Sequence, residues 1–446
     1  MKKLILSVLL IPAVFSAQQN VSRDAEIANY VSQVSADSLK SHINKLVSFG
    51  TRHTMSSTTD AKKGIGAARN WVLSKFKNYA KNSDGRMEVF LQSQTIQPDG
   101  KRINQPTDLG NAIAILRGTD PNDKRIFMIG GHLDSRVSDV MNNKDFAPGA
   151  NDDGSGVGAV IESARILSQS KFPATIVFVA FSGEEQGLLG AKMLAEKAKS
   201  ENWQLEALLN NDMVGNNLSS ETNLINANQL RVFSEGLPQF DLDKKAQEIR
   251  NLGLENDGEA RQLARYIKEI GERYVDNLEV KLIYRNDRFL RGGDHTSFVN
   301  QGFSAVRLTE FNENYDHQHQ DIRKENGKQF GDLPEFMDFE YFKKNVGVNV
   351  SVLANLAKSP SKPENVKMDV KELTNFTTIH WEKPKNGEVV GYYVLMRETD
   401  SSIWQKKFFT KENSMKLPYS KDNYFFAVQA VNSSGNESLI VIPSVR

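Results

Sequence analysis

Thr175-Ile-Val-Phe-Val-Ala-Phe-Ser-Gly-Glu-Glu185 decides how this chain is read. Seven apolar or β-branched residues run without alternation, as in a strand buried on both faces of a parallel sheet. The run stops at a glycine, and two adjacent carboxylates follow. Glu184 and Glu185 repel each other where such a strand ends unless something holds them. A metal does so if one carboxylate is its ligand and the other a general base.

Other apolar runs end in the same way. Arg125-Ile-Phe-Met-Ile-Gly130 leads into Gly131-His132-Leu-Asp134-Ser135, and Glu206-Ala-Leu-Leu-Asn-Asn211 leads into Asp212-Met-Val-Gly215. Between the first strand and Thr175 lies Ala147-Pro-Gly-Ala-Asn-Asp152-Asp153-Gly-Ser-Gly156, which opens an amphipathic helix near Val157–Leu167. Its small residues suit close packing of the helix start against the loop. Strands alternating with helices predict an α/β fold, a mostly parallel sheet with helices on both faces. Ligands of such sheets sit beyond the carboxyl ends of the strands, where His132, Asp152, Glu184, Glu185 and Asp212 all fall. Ser304–Thr309 is a further strand candidate. In the loop after it, His317 or His319 could complete a second metal site.

These motifs resemble the M28 family of zinc peptidases, which includes secreted bacterial leucyl aminopeptidases. The resemblance rests on Gly-Gly-His132-Leu-Asp134-Ser, Pro-Gly-Ala-Asn-Asp152-Asp153-Gly-Ser-Gly, Phe-Ser-Gly-Glu184-Glu185-Gln-Gly, Asn-Asp212-Met-Val-Gly, and His317 with Asp321 four residues on. It covers roughly residues 35–355 and implies the zinc exopeptidase fold with two zinc ions. By position, His132 and Asp212 hold one and Glu185 and His317 the other, with Asp152 bridging. Glu184 is then the general base, Asp134 orients His132, and the Asp152–Asp153 peptide is cis. His317 is preferred to His319 for its spacing to Asp321. Some relatives place Tyr directly before the last His ligand; here Asp316 stands there and Tyr315 one place earlier, as a candidate oxyanion donor. The implied activity is removal of an N-terminal, apolar residue from peptides with a free α-amine. The alternatives are a glutaminyl cyclase of the same fold, a carboxypeptidase supported only by Arg288 and Arg291, and, last, a receptor or adhesin without activity. His295 and His53 lie in segments near the family's site and are not assigned as ligands.

No His-Glu-x-x-His and no Gly-x-Ser-x-Gly occurs, which argues against a thermolysin-type site and a serine nucleophile elbow. A net charge of +1 without a basic block disfavours nucleic acid as a partner. Lys2-Lys3, the apolar Leu4–Phe15 and Ser16-Ala17 read as a signal peptide over residues 1–17, implying a secreted or periplasmic enzyme. No segment is long enough for a membrane span. Without cysteines, stability falls to the core and the metals. The peptidase domain is expected over 18–357. Lys358-Ser-Pro-Ser-Lys-Pro363 reads as a linker over 358–364. Residues 365–446 then read as a sandwich of short strands. This part resembles a fibronectin type III domain through Trp381, Tyr393, Tyr424 and Leu417-Pro418, and is a candidate tether to polymeric substrate or to the cell surface. Since no expected site residue lies beyond Asp321, a chain ending near Ser359 should fold and stay active on small amides.

Overall fold

The computed structural model describes residues 23–445; the expected signal peptide lies outside them. In chain order the first part contains helices α1 (Ala25–Ser32), α2 (Ala36–Val47) and α3 (Gly64–Ala80), then strands β1 (Met87–Ile96), β2 (Thr107–Leu116) and β3 (Arg125–His132). There follow α4 (Gly154–Leu167), β4 (Thr175–Phe181), α5 (Leu189–Ser200), β5 (Gln204–Asn211), β6 (Gln229–Phe233), α6 (Gln239–Leu252), α7 (Glu259–Tyr274), β7 (Glu279–Ile283), α8 (Asp294–Asn300) and β8 (Ala305–Glu310). A small hairpin of β9 (Arg323–Glu325) and β10 (Lys328–Phe330) precedes α9 (Phe339–Lys358).

Eight strands form one sheet in the order β1-β2-β4-β3-β5-β8-β6-β7. The middle, β4-β3-β5-β8, is parallel, as the unbroken apolar runs require; β1 and β2 extend it antiparallel on one side, and β6 joins β8 antiparallel on the other. The sheet is thus mixed around a parallel centre. That centre places the ends of β3, β4 and β5 on one edge.

The segment ahead of the sheet forms two helices, α1 and α2. Ser35 separates them by capping α2 from an extended backbone, its hydroxyl accepting the Ser38 N–H. The start of α4 needs its glycines. A Cβ at Gly156 would lie 2.2 Å from the Asp153 carboxylate and 2.3 Å from the Asn211 carbonyl, and one at Gly131 would lie 2.5 Å from the Gly156 backbone. Glu162, buried on α4, fastens α2 by accepting from the Ser35 N–H (3.0 Å) and the Ser38 hydroxyl (2.8 Å).

After α9 come β11 (Glu364–Met368), β12 (Thr377–Glu382), β13 (Gly391–Glu398), β14 (Lys406–Thr410), β15 (Ser414–Leu417), β16 (Tyr424–Val431) and β17 (Ser444–Val445). They make two sheets, β15-β12-β11-β17 and β14-β13-β16. Trp381 packs edge-on against Tyr392, ring centroids 5.3 Å apart, inside this sandwich. Tyr393, expected in that core, belongs to a separate cluster with Leu395 and Ala427, because neighbours on a strand point to opposite faces.

The sandwich is docked on α7 and the residues just ahead of it through β13, β14 and the turn after β16. Asp257, buried just ahead of α7, accepts from Arg265 (2.7 Å) and from Arg397 of the sandwich (2.6 Å). Arg273 makes a two-pronged pair with Glu437 at 2.8 and 2.7 Å, and Lys407 pairs with Glu269. The Pro/Ser linker is also fastened: Arg125 donates to the carbonyls of Ser359 (2.8 Å) and Pro360 (3.0 Å). The chain ending near Ser359 would therefore lose a built interface and expose α7, so its unchanged folding is no longer expected.

Two predictions follow from these contacts. Asp257→Ala leaves Arg265 and Arg397 buried without their counter-charge, and should cost about 3–5 kcal/mol in denaturant unfolding of the full chain. The second concerns acid stability. Burial alone would raise the pKa of Glu162, but Arg165, His42 and the Ser35 amide draw it down from 4.5 to about 2. A depressed carboxyl stabilises fully above its unfolded pKa and loses that contribution as pH falls through the folded one. Wild type should thus lose more stability than Glu162→Gln between about pH 4.5 and 2, read from melting temperature against pH.

Candidate metal centre

Three strand ends, the segment before α4 and the loop after β8 build the site. β3 delivers His132, whose backbone N–H donates to Asp153 Oδ2 at 2.8 Å. Its Nδ1 lies 3.1 Å from the Asp134 carbonyl. A carbonyl only accepts, so Nδ1 carries a proton and the ring faces the carboxylates through Nε2, the atom that would bind a metal once its own proton is lost. That Nε2 is 3.1 Å from Asp152 Oδ1 and 3.9 Å from Asp212 Oδ1. Asp152 precedes α4 and is joined to Asp153 by a cis peptide. Asp212 follows β5, and the chain turns at once through Met213 in the left-handed region, φ 58°.

The loop after β4 carries both glutamates. The Asp134 carboxylate accepts the N–H groups of Gly183 (2.9 Å), Glu184 (3.2 Å) and Glu185 (3.0 Å), and so fixes the backbone of the pair. Asp134 thus supports His132 through its carbonyl and the glutamate loop through its carboxylate. Glu185 Oε1 lies 2.8 Å from His319 Nε2, and Oε2 accepts from Arg136 Nε at 2.9 Å. His319 Nε2 is also 2.9 Å from Asp152 Oδ2. Two groups of donor atoms result among the described residues, each within 4.8 Å of one another: His132, Asp152 and Asp212, and Asp152, Glu185 and His319. Asp152 is common to both.

The electrostatics follow from this crowding. Burial would lower the His132 pKa, but Asp153, Glu184, Asp152 and Asp212 hold it well above the ordinary value. Burial would likewise lower His319, and Glu185 with Asp152 raises it to about 9. Burial and the charges of Glu185, Asp212 and Asp294 push Glu184 well above the ordinary carboxyl range, although His132 opposes them.

His317, the expected ligand, is not in either group. Its ring stacks on Phe336, centroids 3.8 Å apart and planes 10° from parallel, and burial takes its pKa down to about 4. Asp321, whose spacing favoured His317, instead accepts from the Ser138 hydroxyl at 2.7 Å. The loop reaches the centre with His319, at φ 57°. Tyr315 is 54 % exposed. His295 and His53 point at the carbonyls of Asn286 (2.8 Å) and Val140 (2.9 Å). Arg288 is engaged by Asp287 and Glu313, and Arg291 is exposed.

A model of peptidase family M28 matches residues 111–333, and a fibronectin type III model matches 361–443. A probable zinc metalloprotease of Leptosphaeria maculans is 42 % identical over 421 residues, covering 94 % of this chain and 97 % of that one. The chain belongs to peptidase family M28. A second relative, a probable zinc metalloprotease of Pyrenophora teres f. teres, is 41 % identical over 94 % of this chain and 87 % of its own. Among solved structures, the LapA aminopeptidase of Legionella pneumophila shares the fold with a TM-score of 0.53 at 19 % identity, covering 76 % of each chain. A leucine aminopeptidase precursor from Bacteroides thetaiotaomicron does so with 0.51 at 17 % identity, over 72 % of this chain and 98 % of that one. The C-terminal sandwich is a fibronectin type III domain.

Several residues of this M28 member escaped the sequence reading. Asp332 accepts the N–H groups of Asn151 and Asp152, at 2.9 and 2.7 Å. Arg52, fully buried, donates to the carbonyls of Leu133, Pro148 and Gly149 and ties the Asp152 loop to the end of β3. Only Arg307 left a signal, as a charge inside the apolar run Ala305-Val-Arg-Leu308.

The exchange of histidines is directly testable. His319→Ala removes one of three donors and should lower bound metal per chain, read by elemental analysis after dialysis. His317→Ala should keep the wild-type metal content, losing only its stacking on Phe336.

Proposed function

We propose that this protein is a secreted aminopeptidase with two zinc ions, removing an apolar N-terminal residue from peptides that carry a free α-amine. The observation that carries the reading is the pair of donor groups sharing Asp152, with Glu184 beside them. Imidazole nitrogens and carboxylate oxygens are a donor set that suits zinc, and the relatives' names point to the same metal. His132, Asp152 and Asp212 would hold one ion, and Asp152, Glu185 and His319 the other. Bound zinc supplies positive charge that polarises a scissile carbonyl and lowers the pKa of water.

The remaining work belongs to the chain. Glu184 holds and moves the proton: it takes one from the attacking water and returns it to the leaving amine. Asp134 keeps Glu184 in place through the amides of residues 183–185. The carboxypeptidase alternative keeps only the exposed Arg291, since Arg288 is occupied by Asp287 and Glu313. The cyclase alternative, with one zinc, leaves the second donor group without a purpose. The proposed boundaries are a signal over 1–17, the peptidase domain over 18–357 and the fibronectin-like domain from 365.

Glu184→Gln should retain both zinc ions while turnover falls by about 10²-fold or more. A peptide beginning with Leu should lose that residue, and its N-acetylated form should resist. Mass spectrometry of the two peptides, together with one beginning with Gln, decides among the readings. Loss of ammonia from the Gln peptide alone would favour the cyclase, and release from the carboxyl end would favour the carboxypeptidase.

A further inference from the structure

A full positive charge sits in the middle of the main sheet. Arg307 lies on β8, opposite Asn210 of β5 on one side and Phe233 of β6 on the other, and is 0 % exposed. A guanidinium so placed needs its charge matched; the Nε of Arg307 has no hydrogen-bond partner, so the match falls to its two Nη atoms. Its Nη1 is 3.0 and 3.1 Å from the two oxygens of buried Asp287. Its Nη2 donates to the Asp212 backbone carbonyl at 3.4 Å and forms an ion pair with Asp212 Oδ1 at 3.1 Å. One planar fork therefore joins two carboxylates, and the second belongs to the candidate metal centre.

We infer that Arg307 is a positioning residue of that centre: anchored from behind by Asp287, it holds the Asp212 carboxylate in its coordinating pose. The inference rests on the proposed role of Asp212 as a zinc ligand. Asp212 stands at a strand end beside His132, with Asp152 close by and Asp153 in the same field. Before a metal arrives, those carboxylates repel one another, and a side chain free to rotate would turn away. Arg307 neutralises one of them and fixes its direction. A carboxylate offers about four lone-pair sites, so Asp212 can keep the arginine and still coordinate. Asp287 makes the clamp rigid, since Arg307, Arg288 and His295 together overcome its burial and keep it ionised, with a pKa of about 2. Lysine could supply the charge at this position but not the two-ended planar geometry.

The test measures zinc affinity by chelator competition on the full chain, with melting temperatures of the metal-free proteins. Partners that orient metal ligands typically contribute 10–100-fold to affinity. The double variant Arg307→Met with Asp287→Asn removes the clamp without stranding Asp287, and should weaken one zinc site by about that factor while the other stays at its wild-type value. Arg307→Lys should fall between the two. In both, excess zinc should recover kcat with KM unchanged, which a general loss of packing would not allow. Asp212→Asn serves as the control and should lose the same site. Folded Arg307 variants with both affinities at wild-type values, while Asp212→Asn loses one, would overturn the clamp and leave the ligand assignment standing. If Asp212→Asn keeps both, the ligand assignment itself fails, and the clamp with it. If no Arg307 variant folds, Asp287→Asn alone decides: wild-type affinity there overturns the proposal, and a selective loss at one site sustains it.

Discussion

The site depends on buried carboxylates accepting backbone N–H groups from loops that have no ladder partners. Asp153 is the centre of this arrangement: one carboxylate takes the amides of His132, Gly156 and Met213, at 2.8, 2.8 and 3.2 Å. It thereby binds the end of β3, the start of α4 and the turn after β5 at a single point. Asp134 does the same for residues 183–185, and Asp332 for residues 151 and 152. Loops at the edge of a parallel sheet leave their amides unpaired, and a buried amide without an acceptor is costly. Carboxyl oxygens supply the acceptors that these groups lack. The candidate ligands that these loops carry are then rigidly placed.

This division of labour explains what the sequence could and could not reveal. Apolar stretches within 125–130, 175–181 and 206–211 announced buried parallel strands, and the residues after each announced the edge where chemistry gathers. His132, Glu185 and Asp212 were legible as candidate ligands because strand ends leave little choice of position, and Asp152 because the segment ahead of α4 opens on the same edge. The loop after β8 gives no such constraint. His317 and His319 are two residues apart, and the choice turned on whether Asp321 faced the ring or the neighbouring loop. A non-glycine residue in the left-handed region, as His319 is, leaves no trace in sequence spacing. The supporting carboxylates were illegible for a related reason. Asp332 looks like any aspartate until the amides around it are in place.

Arginine plays the complementary part. The carboxylates that do not bridge the two donor groups each carry one, Arg307 on Asp212 and Arg136 on Glu185. Asp152, shared between the groups, is met instead by the neutral side-chain amide of Gln318 at 2.9 Å. Net charge in the pocket is thus trimmed around its periphery, while the shared carboxylate keeps its full negative charge.

The docking of the fibronectin type III domain has a mechanical meaning. A Pro/Ser segment between two domains suggests a leash, along which the second would wander. Here Arg125 grips the segment by its carbonyls, and Arg397, Glu437 and Lys407 fix the domain to α7. The domain is a ruler rather than a leash. Whatever its outward sheet meets would be held at one distance and one angle from the catalytic edge, so reach is set by the geometry of α7 and not by the length of the linker.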